Sequence, residues 1–278
     1  REFNPRANMT DQETGGPSLI KLGKLANSKD FDKLEGLWVP ALECGQYTWR
    51  ELIPVAGQVG RQGATDRSDT LMEILVGWIE DKNGPEAALE VAREAGIQLP
   101  AGKALRNLLL RLYLQINSDF EELPILLKKL MPEGCKLDQA VPLVDLYLQL
   151  QVGAFALDLE YLVPGLVESL DVETGLLSVL FEDRRNEYGP ATAAKLRPRP
   201  TDFFPALVLY NPDKLRTIAE EDPAEFVKMA LRSNREGRLA YKELKKSVTE
   251  LLGTKGWKDW WLKAKRELKR DPIISMSD

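Results

Sequence analysis

The chain has 278 residues, 44% of them hydrophobic and 29% charged, with a formal net charge of −5. That balance belongs to a folded chain able to bury a sizeable core in one long domain or two ordinary ones, not to a disordered one. It holds no histidine, which removes the commonest general base, the imidazole-dependent serine and cysteine triads, and the usual zinc sites.

Residues 1–18 read as a tag remnant and flexible N-terminus, because Arg1 to Asn8 precede Met9 and glycines and polar residues continue to Ser18. No uninterrupted apolar run approaches the roughly 18–20 residues of a bilayer span, and no signal segment opens the chain. Cys44 and Cys135 have no metal-ligand spacing. Together these features predict a cytoplasmic protein with structural thiols in a reducing compartment. At the other end, Ser275 to Asp278 stop without a cap or tail, which suggests a cut inside a longer protein.

From Leu19 onward the pattern predicts helix after helix. Asp30-Phe31-Asp32-Lys33-Leu34 opens one, and the similar Asp119-Phe120-Glu121-Glu122-Leu123 opens another, a weak internal similarity. Leu71, Leu75, Trp78 and Ile79, and then Leu105, Leu108, Leu109, Leu112 and Ile116, recur at intervals of three and four, the stripe a helix buries. Start signals accompany them: Gly84-Pro85, a capping box of Ser118 with Glu121, Asn211-Pro212, and Asp222-Pro223 followed by Glu225. Gly60, Gly63, Gly96, Gly134 and Gly253 sit where stripes run out and are read as caps. Pro40, Pro54, Pro124, Pro142 and Pro164 are expected to kink a helix or occupy its first turn. No sustained alternation of apolar and polar residues argues for a sheet in the core.

The expected fold is therefore all-α: stacked antiparallel helix pairs, an array of the TPR or HEAT kind, over residues 19–197, then a smaller basic helical domain over 198–278. The boundary is placed at Lys195 to Pro200, where basic residues flank two helix-breaking prolines.

Candidate chemistry is sparse. Gly96 to Ala104 is the nearest approach to a phosphate loop, but it has one residue too many between its glycines and Ala104 where a hydroxyl is needed. Most of the acidic clusters, among them Glu121-Glu122 and Glu220-Glu221-Asp222, are read as falling at helix starts, where acids complement the macrodipole. No catalytic, cofactor-binding or metal-ligating residue is expected, and an enzyme working with Asp/Glu and Lys/Arg alone is a minor alternative.

The most informative block is the last. Trp257, Trp260, Trp261, Ala264 and Leu268 share one helical face, which argues for burial, while Lys258, Lys265, Arg266, Lys269 and Arg270 take the other directions. Leu239 to Arg270 holds ten Lys/Arg against four Asp/Glu, a local charge of +6, which leaves −11 for the rest of the chain. Such a basic end suits nucleic acid or an acidic protein surface, so those five cations are the expected partner-binding residues.

Phe31 to Trp38 near the start, and Gly256 to Pro272 near the end, resemble the helical N-terminal extension of long bacterial Gre-type (GreA/GreB family) transcription elongation factors. In that family a helical region precedes a module whose coiled coil enters RNA polymerase and whose tip acids hold magnesium. No sustained heptads occur in this chain, so no residue inherits that catalytic role, and any such module would follow Asp278. The resemblance implies a non-enzymatic interaction module, without cofactor, that docks on RNA polymerase or a transcription partner. The alternative is a helical-repeat scaffold unrelated to transcription.

Overall fold

The computed structural model describes residues 16–99, 102–182, 184–234, 237–272 and 274–275. The tag-like residues 1–8, Met9 and the terminal residues 276–278 lie outside these. Contacts divide the chain into two compact units, residues 1–144 and 145–278. The boundary expected near Arg197 falls inside the second unit, on a strand. Among the described residues, no helix is long and apolar enough to cross a membrane.

The first unit is helical: α1 (Leu19–Asn27), α2 (Phe31–Glu43), α3 (Trp49–Arg61), α4 (Thr65–Asn83), α5 (Pro85–Gln98), α6 (Lys103–Ile116), α7 (Leu123–Leu130) and the start of α8 (Leu137–Gln149). Helix α3 packs on α4 and α5, and α4 on α5 and α6, so neighbours and next neighbours share one core. Short turns joining amphipathic helices enforce that arrangement, since no single pair covers its own apolar stripe.

Polar groups buried in this stack find specific partners. Trp38 is fully buried, and its Nε1–H donates to the Leu71 carbonyl at 2.9 Å, fastening α2 to α4. Asp69 is also buried, and its Oδ2 accepts the Ala104 N–H at 2.9 Å. Burial pushes the Asp69 carboxyl up, an effect that the Ala104 N–H opposes. This side chain caps the start of α6, so the stretch around Gly102 is an ordinary helix start closed by the chain's own carboxylate.

Several local expectations shift. The expected box of Ser118 with Glu121 is absent: α7 begins at Leu123 after Glu122, and its start carries no side-chain cap. Phe120 therefore lies in a turn, not at a helix head. Glu51 instead reaches back to Thr48, accepting its backbone N–H at 2.8 Å. Gly96 is no cap but lies inside α5, where an added Cβ would sit 3.3 Å from Leu109 and Val141 side-chain atoms. Pro40, Pro54 and Pro142 lie within helices and Pro124 in a first turn, as expected, whereas Pro164 begins a strand.

The second unit corrects the all-α expectation. After α8 come β1 (Phe155–Asp158), β2 (Pro164–Asp171), β3 (Leu176–Phe181), β4 (Arg184–Tyr188), a 3-10 turn at Ala193–Lys195, and β5 (Leu196–Arg199). They form one five-stranded sheet in the order β4-β3-β2-β1-β5, every pairing antiparallel. The chain thus makes a meander whose last strand returns beside the first. Prolines that break helices are tolerated on its margins: Pro164 opens β2, and Pro198 lies on the edge strand β5. A Cβ at Gly165 would lie 2.6 Å from Val179 and Phe181, so only glycine lets β3 pack this closely over β2.

Among the described residues five helices follow: α9 (Phe204–Tyr210), α10 (Pro212–Glu221), α11 (Pro223–Ser233), α12 (Tyr241–Leu252) and α13 (Trp257–Leu268). Tyr210 of α9 anchors them to the sheet. Its hydroxyl accepts the Glu182 N–H and lies 2.9 Å from the Leu180 carbonyl, to which it can donate. Phe155 of β1 joins the helical residues in one apolar core.

Candidate macromolecular interface

Helices α9, α10 and α11 are joined by single residues that serve two helices at once. Asn211 closes α9 and accepts the Lys214 N–H to open α10; Asp222 closes α10 and accepts the Glu225 N–H to open α11. The proline after each has no N–H to lose and a preset φ, so both expected starts form. The result forces α11 into the middle of the unit. Ala224, Phe226, Val227, Met229 and Ala230 are all buried.

The exposed pair is α12 and α13, joined by Gly253-Thr254-Lys255-Gly256. Gly253 and Gly256 take φ of 84° and 91°, a left-handed region that a side chain would strain, and this brings the chain round within four residues. The three tryptophans of α13 turn inward. Trp257 and Trp261 stack at 6.0 Å and 8°, Tyr241 meets both edge-on, and Trp260 packs edge-on against Phe226. Their polar edges are also used, with Trp257 Nε1–H donating to the Tyr241 hydroxyl and Trp260 Nε1–H to the Ala219 carbonyl. These rings form the core that fixes α13 in place.

The opposite face of α13 carries the expected cations. Lys258, Arg266, Lys269 and Arg270 are exposed and Lys265 half-buried. At about 100° per residue, positions 258, 262, 265 and 269 form one row and 262, 266 and 270 the adjoining one. Lys258, Lys265 and Arg266 lie within about one turn of Leu262, which is 64% exposed, and Lys269 and Arg270 follow just past the end of the helix. Among the described residues none of the five has an ion-pair partner, whereas Lys228 binds Asp271 at 2.6 Å and Lys263 donates to the Glu221 carbonyl. Sequence reading missed Leu262 and the exposed Lys242 and Lys245 of α12. The signal for Leu262 was its place four residues from both Lys258 and Arg266.

A second polar site lies in the sheet, a cavity of about 560 Å³ bordered by Asp158, Glu160, Tyr188 and Lys195. Asp158 is buried and accepts from the Tyr188 hydroxyl at 2.6 Å and from the backbone N–H of Glu160 and Tyr161. Burial pushes its carboxyl up, but these donors outweigh that and hold it below the usual carboxylate value. Burial and the Asp158 contact push Tyr188 up to about 12. Glu160 pairs with Lys195 at 2.9 Å. Asp158 and Glu160 are engaged by partners within the protein, and among the described residues no group of acids or thiols converges as a metal site.

Residues 206–278 match the family model of the GRAD helix-turn-helix domain. The match begins inside α9 and runs through the one-residue junctions, the glycine turn and the tryptophan helix to the end of the chain. The matched segment contains the interior tryptophans and all five expected cations. Comparisons with curated proteins and with solved structures gave no match.

Proposed function

We propose that the helix-turn-helix segment is a non-enzymatic docking module of a bacterial, cytoplasmic transcription factor. In this reading the outer face of α13 meets an acidic surface of RNA polymerase or of a transcription partner. The observation that carries it is the exposed Leu262 beside Lys258, Lys265 and Arg266, with Lys269 and Arg270 following, none of the five having an ion-pair partner among the described residues. An apolar centre with a charged rim is the anatomy of a protein interface. A helix that reads a DNA groove instead presents its first residues to base edges. Here Trp257 points into the core and Trp260 and Trp261 are half-buried, so the first turn of α13 has few side chains free to reach base edges. The resemblance to the Gre-type extension and the GRAD match support a link with transcription.

Charge reversal of Lys258, Lys265, Arg266, Lys269 and Arg270 to glutamate tests the assignment by capture of purified RNA polymerase at several salt concentrations. The reading expects strong capture by the natural chain that fades with salt, and loss of capture by the variant. Capture and single-stranded nucleic acid affinity that both survive the reversal would remove the site.

A further inference from the structure

We propose that a groove beside the cation rows receives an apolar anchor from an acidic peptide segment of the partner, a second subsite that rests on the docking reading above. The groove encloses about 640 Å³, within the size range of binding pockets. Val227 and Leu231 of α11, Leu244 of α12, and Leu268 and Trp261 of α13 supply apolar walls, and Lys265 stands at its edge. Tyr241 is 52% exposed although its ring packs against Trp257 and Trp261, so an apolar surface is held open to solvent by a rigid aromatic cluster.

Two features choose the occupant. The first is charge: Lys265 belongs to the row with Lys258 and Lys269, all without ion-pair partners among the described residues, so carboxylates flanking an anchor would meet fixed positive charge. The second is shape and chemistry. Bases stack on free aromatic faces, but the groove's Trp261 is already stacked against Trp257, its Tyr241 is held edge-on by both rings, and most of its walls are aliphatic. Aliphatic walls fit the i, i+4 apolar residues of an amphipathic helix laid in a groove. An acidic amphipathic peptide satisfies both features, whereas an oligonucleotide satisfies only the first.

The test uses the full chain and a synthetic glutamate-rich peptide of about 12 residues with leucines at i and i+4, about three helical turns. Binding is read from the intrinsic tryptophan fluorescence. The variant Ala240→Trp fills the groove from its exposed lip, and an unchanged melting temperature verifies that it folds. Expected results are saturable binding, a loss of about tenfold or more when the peptide leucines become alanine, and a similar loss in the Ala240→Trp chain, as one buried aliphatic anchor implies. Equal binding by the Ala240→Trp chain, or by the alanine peptide, would overturn the proposal. So would a single-stranded oligonucleotide, or a second copy of the chain, whose binding alone is lost on filling the groove. Failure here with polymerase capture intact removes the groove only; peptide binding that persists when capture is absent removes the polymerase reading and keeps the groove.

Discussion

Substituting Asp158→Asn isolates what one buried carboxylate does for the sheet. The Asp158 side chain is 2% exposed and accepts three hydrogen bonds, from Tyr188 at 2.6 Å, Glu160 N–H at 2.7 Å and Tyr161 N–H at 3.0 Å. The two backbone bonds shape the turn that carries Leu162 at φ 57°, a strained value for leucine that needs support from its surroundings. Asparagine keeps the Oδ1 acceptor for both backbone donors but loses the charge and turns an NH₂ toward the Tyr188 hydroxyl. Charge-assisted bonds contribute about 1.5–3 kcal/mol against about 1 for neutral ones, so the expected loss at pH 7 is about 1–3 kcal/mol. Asp158→Ala leaves buried donors unpaired and should cost more, about 3–5 kcal/mol. Because the folded carboxyl titrates below its unfolded value of 3.8, its contribution is present above that value and lost as pH falls through the folded one. Urea unfolding at pH 7 and at a pH below 3.8 should therefore show the gap between the natural chain and Asp158→Asn narrowing in acid. An equal gap at both pH values, or no gap at pH 7, would refute the assignment of Asp158 as an ionised structural cap.

Three further outcomes follow from the packing. Gly165→Ala must move Val179 and Phe181 from 2.6 Å, and thermal unfolding should report a loss of about 1–3 kcal/mol. Asp69→Ala removes the acceptor of the Ala104 N–H and should destabilise the chain by about 0.5–2 kcal/mol, read by urea denaturation with an unchanged slope. Tyr147 and Tyr188 are both pushed up to about 12, so ultraviolet titration should leave them protonated at pH 11. Their contribution to stability is complete below pH 10 and is lost as pH rises through about 12.

The helices were legible where a start signal and a stripe coincide. Asn211-Pro212 and Asp222-Pro223 form the caps their chemistry implies, and the burial of Trp257 follows from its sharing a face with Ala264 and Leu268. The sheet was hidden because its faces do not alternate cleanly. In β3 the inward Leu177, Val179 and Phe181 alternate with Leu176, Ser178 and Leu180, half-buried and mostly apolar, so a six-residue run reads as continuous. In β2 a register shift between Val167 and Ser169 breaks the period. The turn Asp171 to Gly175 was the available signal: Asp171 accepts the Glu173 and Thr174 N–H groups, and Gly175 takes φ of 71°. The cations of α13 could be named from spacing alone. Their arrangement about Leu262 required the helix to be placed, since it depends on which face the tryptophans bury.

The central claim is that the outer face of α13 touches an acidic macromolecular surface through those cations. Its most direct measurement is the salt dependence of binding to purified RNA polymerase for the natural chain and for the chain with all five cations reversed. The account predicts affinity that falls steeply with salt in the natural chain and is lost in the reversed one. Equal affinities with equal salt slopes would contradict it.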